Sequence, residues 1–324
     1  MKVTGRALLD NVRRRCREVA GQAVFVAIDA AAVAGYAARL PPDRLRLPEM
    51  DPGIHYLGHG PETLAYCLTL DAVNFGSGFF PDVFGDPRRS GFRALAAALT
   101  DSFSRQGPLP PEKLRTLSVE ECRRLLPLAP SGPAFEELTG LYTRALNDLG
   151  AFVCERFGGD FSLVVGEAGH SAERLVQILT AMPLFNDVAS YRGTDVPFYK
   201  RAQLCAVDLH IAFGGEGPGR FEDLDRLTIC ADNLVPHVLR LDGVLHYRRD
   251  LGARIDRGEP LPAGSPEEVE IRACAVHAAE LIVAELRRQG ETINAMLLDN
   301  FLWHRGQEPF YRARPRHRTR CFFY

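Results

Sequence analysis

Apolar residues recur every three to four positions along most of the chain, which is the pattern of helices that bury one face. A clear example follows Pro61, where Leu64, Leu68 and Ala72 fall on one face of a helix. Proline directly after Gly60 is a favourable helix start, because an N–H group at that position would have no helical partner. This periodicity predicts a mainly α-helical protein.

Two capping sequences predict further helix starts. Residues 118–121 (Ser-Val-Glu-Glu) and 265–268 (Ser-Pro-Glu-Glu) both place a serine three positions before a glutamate, as in a capping box. The helix that begins at the second sequence should end near Gly290, where glycine can adopt the left-handed cap conformation. Another helix is predicted from about Thr292 to Trp303.

Strand signals are few. The best is the run at 161–165 (Phe-Ser-Leu-Val-Val), which lies between glycines and predicts a strand. The apolar stretch at 23–40 contains Asp29 and ends before two prolines, which favours a buried core helix over a membrane span. Nothing alternates strand and helix as a parallel sheet requires. We therefore predict one domain with two helical lobes, about 1–130 and 131–324, and a central cleft.

Composition excludes several classes of protein. The 324 residues carry a net charge of −2, which leaves no broad positive footprint for a nucleic-acid duplex. Apolar residues make up 46% of the chain, which is typical of a globular protein and not of a disordered one. The N-terminal segment lacks the apolar core of a signal peptide. The cysteines form no C-x-x-C pair. We predict a cytoplasmic protein with reduced thiols and with no membrane, metal or cofactor.

Asp299 is the acidic residue whose surroundings are most informative. It lies between Leu298 and Phe301 in a predicted helix, and a buried carboxylate is costly unless it is paired or its pKa is shifted. Two interpretations stay open. Asp299 faces a cleft, or it lies with Asn300 on the polar edge of the helix.

Two other charged residues also have a structural and a functional interpretation. Asp232 follows an apolar run and is either the N-cap of a helix or a carboxylate in a pocket. Lys200 is either a surface cation in an ion pair or an amine in a cleft. His55 lies among turn residues, from which it could contact a ligand.

The C-terminal segment combines many arginines with an aromatic end. An arginine-rich tail is usually mobile, but the last three residues, Phe322 to Tyr324, suggest that this one docks onto the protein. Docked arginines such as Arg318 and Arg320 could bind a phosphate through bidentate hydrogen bonds.

Several of these segments, taken in order, resemble one family. They are Leu70-Asp71-Ala72-Val73-Asn74-Phe75, Phe198-Tyr199-Lys200-Arg201-Ala202-Gln203, Ala231-Asp232, Glu268-Val269-Glu270-Ile271-Arg272, Leu297-Leu298-Asp299 and His317-Arg318-Thr319-Arg320-Cys321. From about His55 to Tyr324 the chain is similar to the queuosine salvage protein family. The resemblance implies a helical fold like that of helix-hairpin-helix DNA glycosylases. It also implies a small-molecule substrate, queuosine 5′-monophosphate, whose N-glycosidic bond is hydrolysed to release queuine.

The resemblance implies ligand contacts at His55, Cys230, Asp232, Asp299, Asn300 and His304. We add Asn74, Phe75, Lys200, Arg318 and Arg320 as further expected contacts to the substrate. Asp299, Asp232 and His304 are the expected catalytic residues. His304 departs from the family pattern, which has an aspartate after the tryptophan. A histidine can transfer a proton or orient water, but it cannot replace a carboxylate as a neutralising anion.

Two competing hypotheses follow from the same residues. The substitution at His304 would be compatible with a non-catalytic protein that binds a 7-deazapurine or its nucleotide. A nucleic-acid glycosylase that uses Lys200 as a Schiff-base amine would need a basic face, which the composition does not supply.

Overall fold

The computed structural model describes residues 8–85, 90–128 and 132–324, and these are mainly helical, as predicted. Their α-helices, in chain order, are α1 (Leu8–Ala20), α2 (Ala30–Ala37), α3 (Pro61–Val73), α4 (Phe80–Phe84), α5 (Gly91–Gln106), α6 (Pro111–Arg115), α7 (Val119–Leu125), α8 (Pro133–Phe157), α9 (Phe161–Gly166), α10 (Ala172–Leu179), α11 (Lys200–Ala212), α12 (Val235–Leu241), α13 (Arg249–Asp256), α14 (Pro266–Arg288), α15 (Ala295–Gly306) and α16 (Pro309–Arg312). The strands are β1 (Val26–Ile28), β2 (Val188–Tyr191), β3 (Thr194–Pro197) and β4 (Leu245–Tyr247). Short 3₁₀ turns lie at Pro42–Arg44, Gly217–Gly219 and Leu224–Arg226. No helix of the described residues is long and apolar enough to cross a membrane.

The chain divides into two compact units, each assembled from separate stretches of sequence. The first unit contains the described residues of 1–48 together with 187–200 and 224–320. The second contains those of 49–186 together with 201–223 and 321–324.

Helix α14 forms the centre of the first unit. It packs against α1, α2, α12 and α15, and its residues from Glu268 to Val276 are all buried. A buried charged side chain needs a partner, and three charged side chains of α14 are buried: Glu268, Glu270 and Arg272. The carboxylate of Glu270 accepts backbone N–H groups from Val24, Phe25 and Val26, at 2.9, 2.6 and 3.2 Å. It thereby fixes the entry into β1.

The first unit also contains two small antiparallel sheets. Strand β1 pairs with β4, with Val26 opposite Tyr247 and Ile28 opposite Leu245. Strands β2 and β3 form a hairpin whose two-residue loop is Arg192 and Gly193, with φ angles of 50° and 76°. Positive φ at both positions is the geometry of a type I′ turn, which matches the twist of the flanking strands. No turn signal in the sequence predicted this hairpin.

Helix α3 is the central element of the second unit. Every residue from Thr63 to Val73 is buried, and the helix packs against α5, α8 and α9. The buried guanidinium of Arg201 donates to the carbonyls of Asp71 and Ala72, at 2.9 and 2.6 Å, near the C-terminal end of α3. Carbonyls in the last turn of a helix have no helical donor, so a buried cation there replaces the missing hydrogen bonds.

The predicted strand at 161–165 is wrong, since these residues form helix α9. Phe161, Val164 and Val165 are buried while residues 162 and 163 are exposed, which is helical rather than alternating spacing. The carboxylate of Asp160 accepts the Ser162 N–H group at 2.8 Å and caps the helix. Tertiary burial and this cap override the preference of valine for strands.

The predicted core helix at 23–40 is also only partly correct. The stretch contains β1 followed by α2, and Asp29 lies at their junction as the N-cap of α2, where it accepts the Ala32 N–H group at 2.9 Å. The embedded acid therefore ends one element and starts the next.

The predicted helix starts are confirmed. Helix α7 has a complete capping box between Ser118 and Glu121. At α14 the Ser265 side chain caps the helix, but Glu268 reaches the Gly264 N–H group at 3.2 Å instead of that of Ser265. Helix α15 begins with Asn294 as its N-cap, a little later than predicted.

Candidate active site

Asp299 is held by a backbone hydrogen bond from a distant loop. Helix α15 buries Leu298, Phe301 and Leu302, which leaves Asp299 half-buried beside them. Its Oδ1 accepts the N–H group of Cys230 at 2.7 Å. The carboxylate is therefore bound by a loop that lies 69 positions earlier in the chain.

The electrostatic surroundings of Asp299 act in opposite directions. Burial raises its pKa most, the negative charge of Asp232 raises it as well, and the net effect of all its surroundings is a pKa of about 7 instead of 3.8. The Cys230 N–H group and the Lys200 ammonium both lower the pKa, because each stabilises the carboxylate. The result is an aspartate that takes up and releases a proton near neutral pH.

Asp232 lies in the loop before α12 and has the helix-capping contacts that the structural interpretation predicts. Its Oδ1 accepts the N–H groups of Leu234 and Val235, at 2.7 and 3.2 Å. It nevertheless lies close enough to Asp299 to change the pKa of that residue. Asp232 therefore orders the loop, as its structural interpretation predicts, and adds negative charge beside a second acid.

Lys200 begins α11 and is buried, not a surface cation. Its backbone N–H group donates to the Asp187 carboxylate at 3.3 Å, and its carbonyl accepts the Cys230 thiol at 3.8 Å. The preceding residue, Tyr199, has a φ of 51°, a left-handed conformation that is uncommon for a bulky side chain. Strain of this kind is frequently found at functional sites. We call Lys200, Cys230, Asp232 and Asp299 the acid cluster.

Asn300 and His304 lie on α15 but have other partners. The Asn300 amide donates to the Arg46 carbonyl at 2.8 Å. Much of His304 is exposed, and its ring packs edge-to-face with Trp303, with 5.1 Å between ring centres. The partial desolvation of the ring and the charge of Arg44 lower its pKa. The expected catalytic role of His304 stays a prediction.

The arginine-rich tail docks onto the protein, as its aromatic end predicts. The Arg318 carbonyl accepts the Leu261 N–H group at 2.7 Å, and the flanking residues His317 and Thr319 are buried. Arg318 is half-buried, and Arg320 is exposed.

Three predicted contacts belong to the second unit. His55 is buried, its Nδ1 is 3.0 Å from the Asp51 carbonyl, and burial lowers its pKa. The Asn74 amide donates to Asp71 at 3.3 Å. The Phe75 carbonyl accepts the Tyr142 hydroxyl at 2.8 Å. Asn74 and Phe75 therefore also stabilise the end of α3.

Comparison with known proteins now adds a family. A sequence model of the queuosine salvage protein family matches residues 54–324. The chain belongs to the queuosine salvage protein family.

Several relatives in this family share the same printed name. The chain is 39% identical to a queuosine 5′-phosphate N-glycosylase/hydrolase of Sphaerobacter thermophilus over 320 residues, which cover 95% of this chain and 96% of the relative. A protein of the same name from Mus musculus is 35% identical over 81% of the chain and 82% of the relative. One from Bos taurus is 33% identical over 74% of each. The family predicted from the order of the motifs is thereby confirmed.

Two arginines near the acid cluster of this queuosine salvage protein were missed by the sequence analysis. Arg316 interacts electrostatically with Asp232, while its burial lowers the pKa of the guanidinium. The tail contains several arginines, and no local signal distinguishes the one that faces an acid. Arg272 is the second, and its burial was hidden because charged residues in a helix usually mark the solvent face.

Proposed function

We propose that this chain hydrolyses the N-glycosidic bond of queuosine 5′-monophosphate and releases queuine. The observation that carries the proposal is the pairing of Asp299, whose pKa lies at about 7, with a second carboxylate at Asp232. Most enzymes that hydrolyse glycosidic bonds use two carboxylates whose environments differ. The names of the relatives support the same substrate and reaction.

The reaction makes two electrostatic demands on the protein. Breaking the bond between C1′ and the base nitrogen develops positive charge on the ribose, which a nearby carboxylate stabilises. The leaving base is a 7-deazaguanine without an N7 to protonate, so the charge that develops on it has to be neutralised elsewhere. Overall, the water oxygen bonds to C1′ and the electron pair of the broken bond stays with the base. One proton from water ends on that base, and the products are queuine and ribose 5-phosphate.

The two aspartates divide these tasks. Asp299 exists both with and without its proton near neutral pH, so we assign it the proton transfer. Asp232 accepts two N–H groups ahead of a helix, and we assign it the stabilisation of the sugar cation. The positive charge of the Lys200 ammonium offsets the repulsion between the two carboxylates of the acid cluster.

The expected contacts of the first unit complete this part of the proposed site: they are Cys230, Asn300, Arg318 and Arg320. The contacts expected at His55, Asn74 and Phe75 of the second unit stay predictions. The substrate monophosphate is the natural partner for the tail arginines, because guanidinium groups bind phosphate oxygens in pairs. The proposed division of labour does not require His304, and hydrolysis of this kind requires no cofactor.

The test is release of queuine from queuosine 5′-monophosphate, followed by liquid chromatography. Asp299→Asn and Asp232→Asn should each lower kcat by about 10²- to 10⁴-fold, the usual contribution of a proton-transfer or charge-stabilising group. Asp195→Asn is the matched control, because Asp195 is an exposed aspartate of the same unit. Equal activity of all three variants would remove the assigned roles.

The non-catalytic alternative makes a different prediction in the same assay. A non-catalytic binding protein would bind queuine or the nucleotide, as measured by calorimetry, and would show no turnover at any pH. In that case His304→Asp should create activity. Wild-type turnover would exclude the alternative, and binding without turnover would overturn our proposal.

A further inference from the structure

Arg272 is a fully buried cation that joins two segments of the first unit. From α14, its Nη1 and Nη2 atoms donate to the two carboxylate oxygens of Asp187, at 3.0 and 2.6 Å. Its Nε donates to the Ala231 carbonyl at 2.8 Å. The guanidinium also lies 3.9 Å from the centre of the Phe198 ring. All three donor directions of the planar group are thus used within the protein.

Asp187, the first partner, organises the segment that ends at Lys200. Its carbonyl accepts the N–H groups of Phe198 and Tyr199, at 2.8 and 3.2 Å, and its carboxylate accepts that of Lys200 at 3.3 Å. These bonds hold the left-handed conformation of Tyr199, which turns the chain into α11. Without the ion pair to Arg272, the Asp187 carboxylate would be a buried, uncompensated charge.

Ala231, the second partner, lies between two members of the acid cluster. Cys230 precedes it and donates its N–H group to Asp299 at 2.7 Å. Asp232 follows it. A hydrogen bond to the Ala231 carbonyl therefore fixes the direction of the peptide units that present both neighbours.

We propose that Arg272 is a positioning residue: one buried guanidinium holds the segments of Lys200 and Asp232 in a fixed arrangement around Asp299. The link between this arrangement and turnover rests on the proposed hydrolysis, whereas the geometry can be tested without it. Arginine is needed because only its planar fork can bind both oxygens of Asp187 and a carbonyl on another side. Lysine would keep the charge and lose this pattern.

Arg272→Lys is the decisive variant. The charged groups that act on Asp299 are Asp232 and Lys200, and the Cys230 N–H group is its hydrogen-bond donor. Loosening both segments changes the burial of Asp299, which raises its pKa most, together with its stabilising and repulsive partners. We therefore expect its titration midpoint to move away from about 7. Carboxyl ¹³C NMR of aspartate-labelled protein, with the Asp299→Asn variant for assignment, measures this midpoint directly.

Two further variants separate positioning from loss of stability. Asp187→Asn breaks the same ion pair from the other side and should move the midpoint in the same direction. Arg305→Lys is the matched control, because Arg305 also binds both oxygens of an aspartate, Asp242, at 2.9 and 3.3 Å. It should lower the melting temperature and leave the Asp299 midpoint unchanged.

The outcomes distinguish this inference from the proposed function. An unchanged Asp299 midpoint in folded Arg272→Lys protein overturns the positioning role, whatever the activity. A shifted midpoint, with kcat falling and its pH profile moving by the same amount, supports it. Absence of queuine release by wild type overturns the proposed hydrolysis alone, because the NMR titration needs no substrate.

Discussion

Replacing Asp299 with asparagine should stabilise the protein at alkaline pH. The pKa of Asp299 rises from 3.8 to about 7 on folding, so the folded protein binds this proton more tightly than the unfolded chain does. Protonated Asp299 therefore stabilises the folded state. This stabilisation is complete below pH 3.8 and is lost as the pH rises through about 7. Three pKa units correspond to about 4 kcal/mol, and about 2 to 3 kcal/mol of this is lost between pH 5 and pH 8. Asparagine does not ionise, and its oxygen can still accept the Cys230 N–H group.

Urea unfolding followed by circular dichroism measures this effect. The gain in unfolding free energy from Asp299→Asn should be about 2 kcal/mol larger at pH 8 than at pH 5, since partial exposure reduces the full value. Asp195→Asn is again the control and should show the same small effect at both pH values. A gain that does not depend on pH, or a loss at pH 8, would refute the account of Asp299 given above. In this account Asp299 lowers the stability of the protein at alkaline pH and is kept because catalysis needs it.

Two further pH effects follow from named groups. Lys200→Met removes the cation that lowers the pKa of Asp299, so the midpoint near neutral pH in the kcat profile should move upward; a downward move would contradict the cluster. Burial lowers the pKa of His237 to about 4 and that of His317 to about 3, so both stay neutral in the folded protein. In the unfolded chain both histidines have the ordinary pKa of 6.5 and bind a proton below that pH. Each histidine should therefore reduce the stability of the folded protein as the pH falls below 6.5. The unfolding free energy of wild type minus that of His237→Gln should fall by about 3 kcal/mol between neutral pH and pH 4, and a constant difference in urea titrations would contradict this.

Local sequence predicted the elements whose determinants are local. The capping box at Ser118 and the proline start at Pro61 each involve residues within four positions, and both helices begin where expected. The hairpin loop at Arg192 was missed, because arginine is not a usual residue at positive φ. The strand at 161–165 was predicted wrongly, because a five-residue apolar run is compatible with either period until its burial is known.

The site shows the same division between local and distant determinants. Asp299 could be singled out because an acid within an apolar helical run is conspicuous. Its donor at Cys230 and the cation at Lys200 could not be derived from the residues, since these contacts join segments far apart in the chain and leave no periodic trace. Arg272 was overlooked because a charged residue in a helix usually lies on the solvent face, and its ion-pair partner Asp187 precedes a hairpin that was not predicted.

The discontinuity of the two units has a consequence for biosynthesis. No single cut of the chain separates them, because the first unit takes its segments from 8–48, 187–200 and 224–320. Most of the polypeptide must therefore be synthesised before the first unit can fold. Helix α1 cannot pack until its partner helix α14 has been made. Such long-range pairing slows folding and exposes apolar surface in the meantime. Truncated fragments should accordingly be chaperone clients and not autonomous halves.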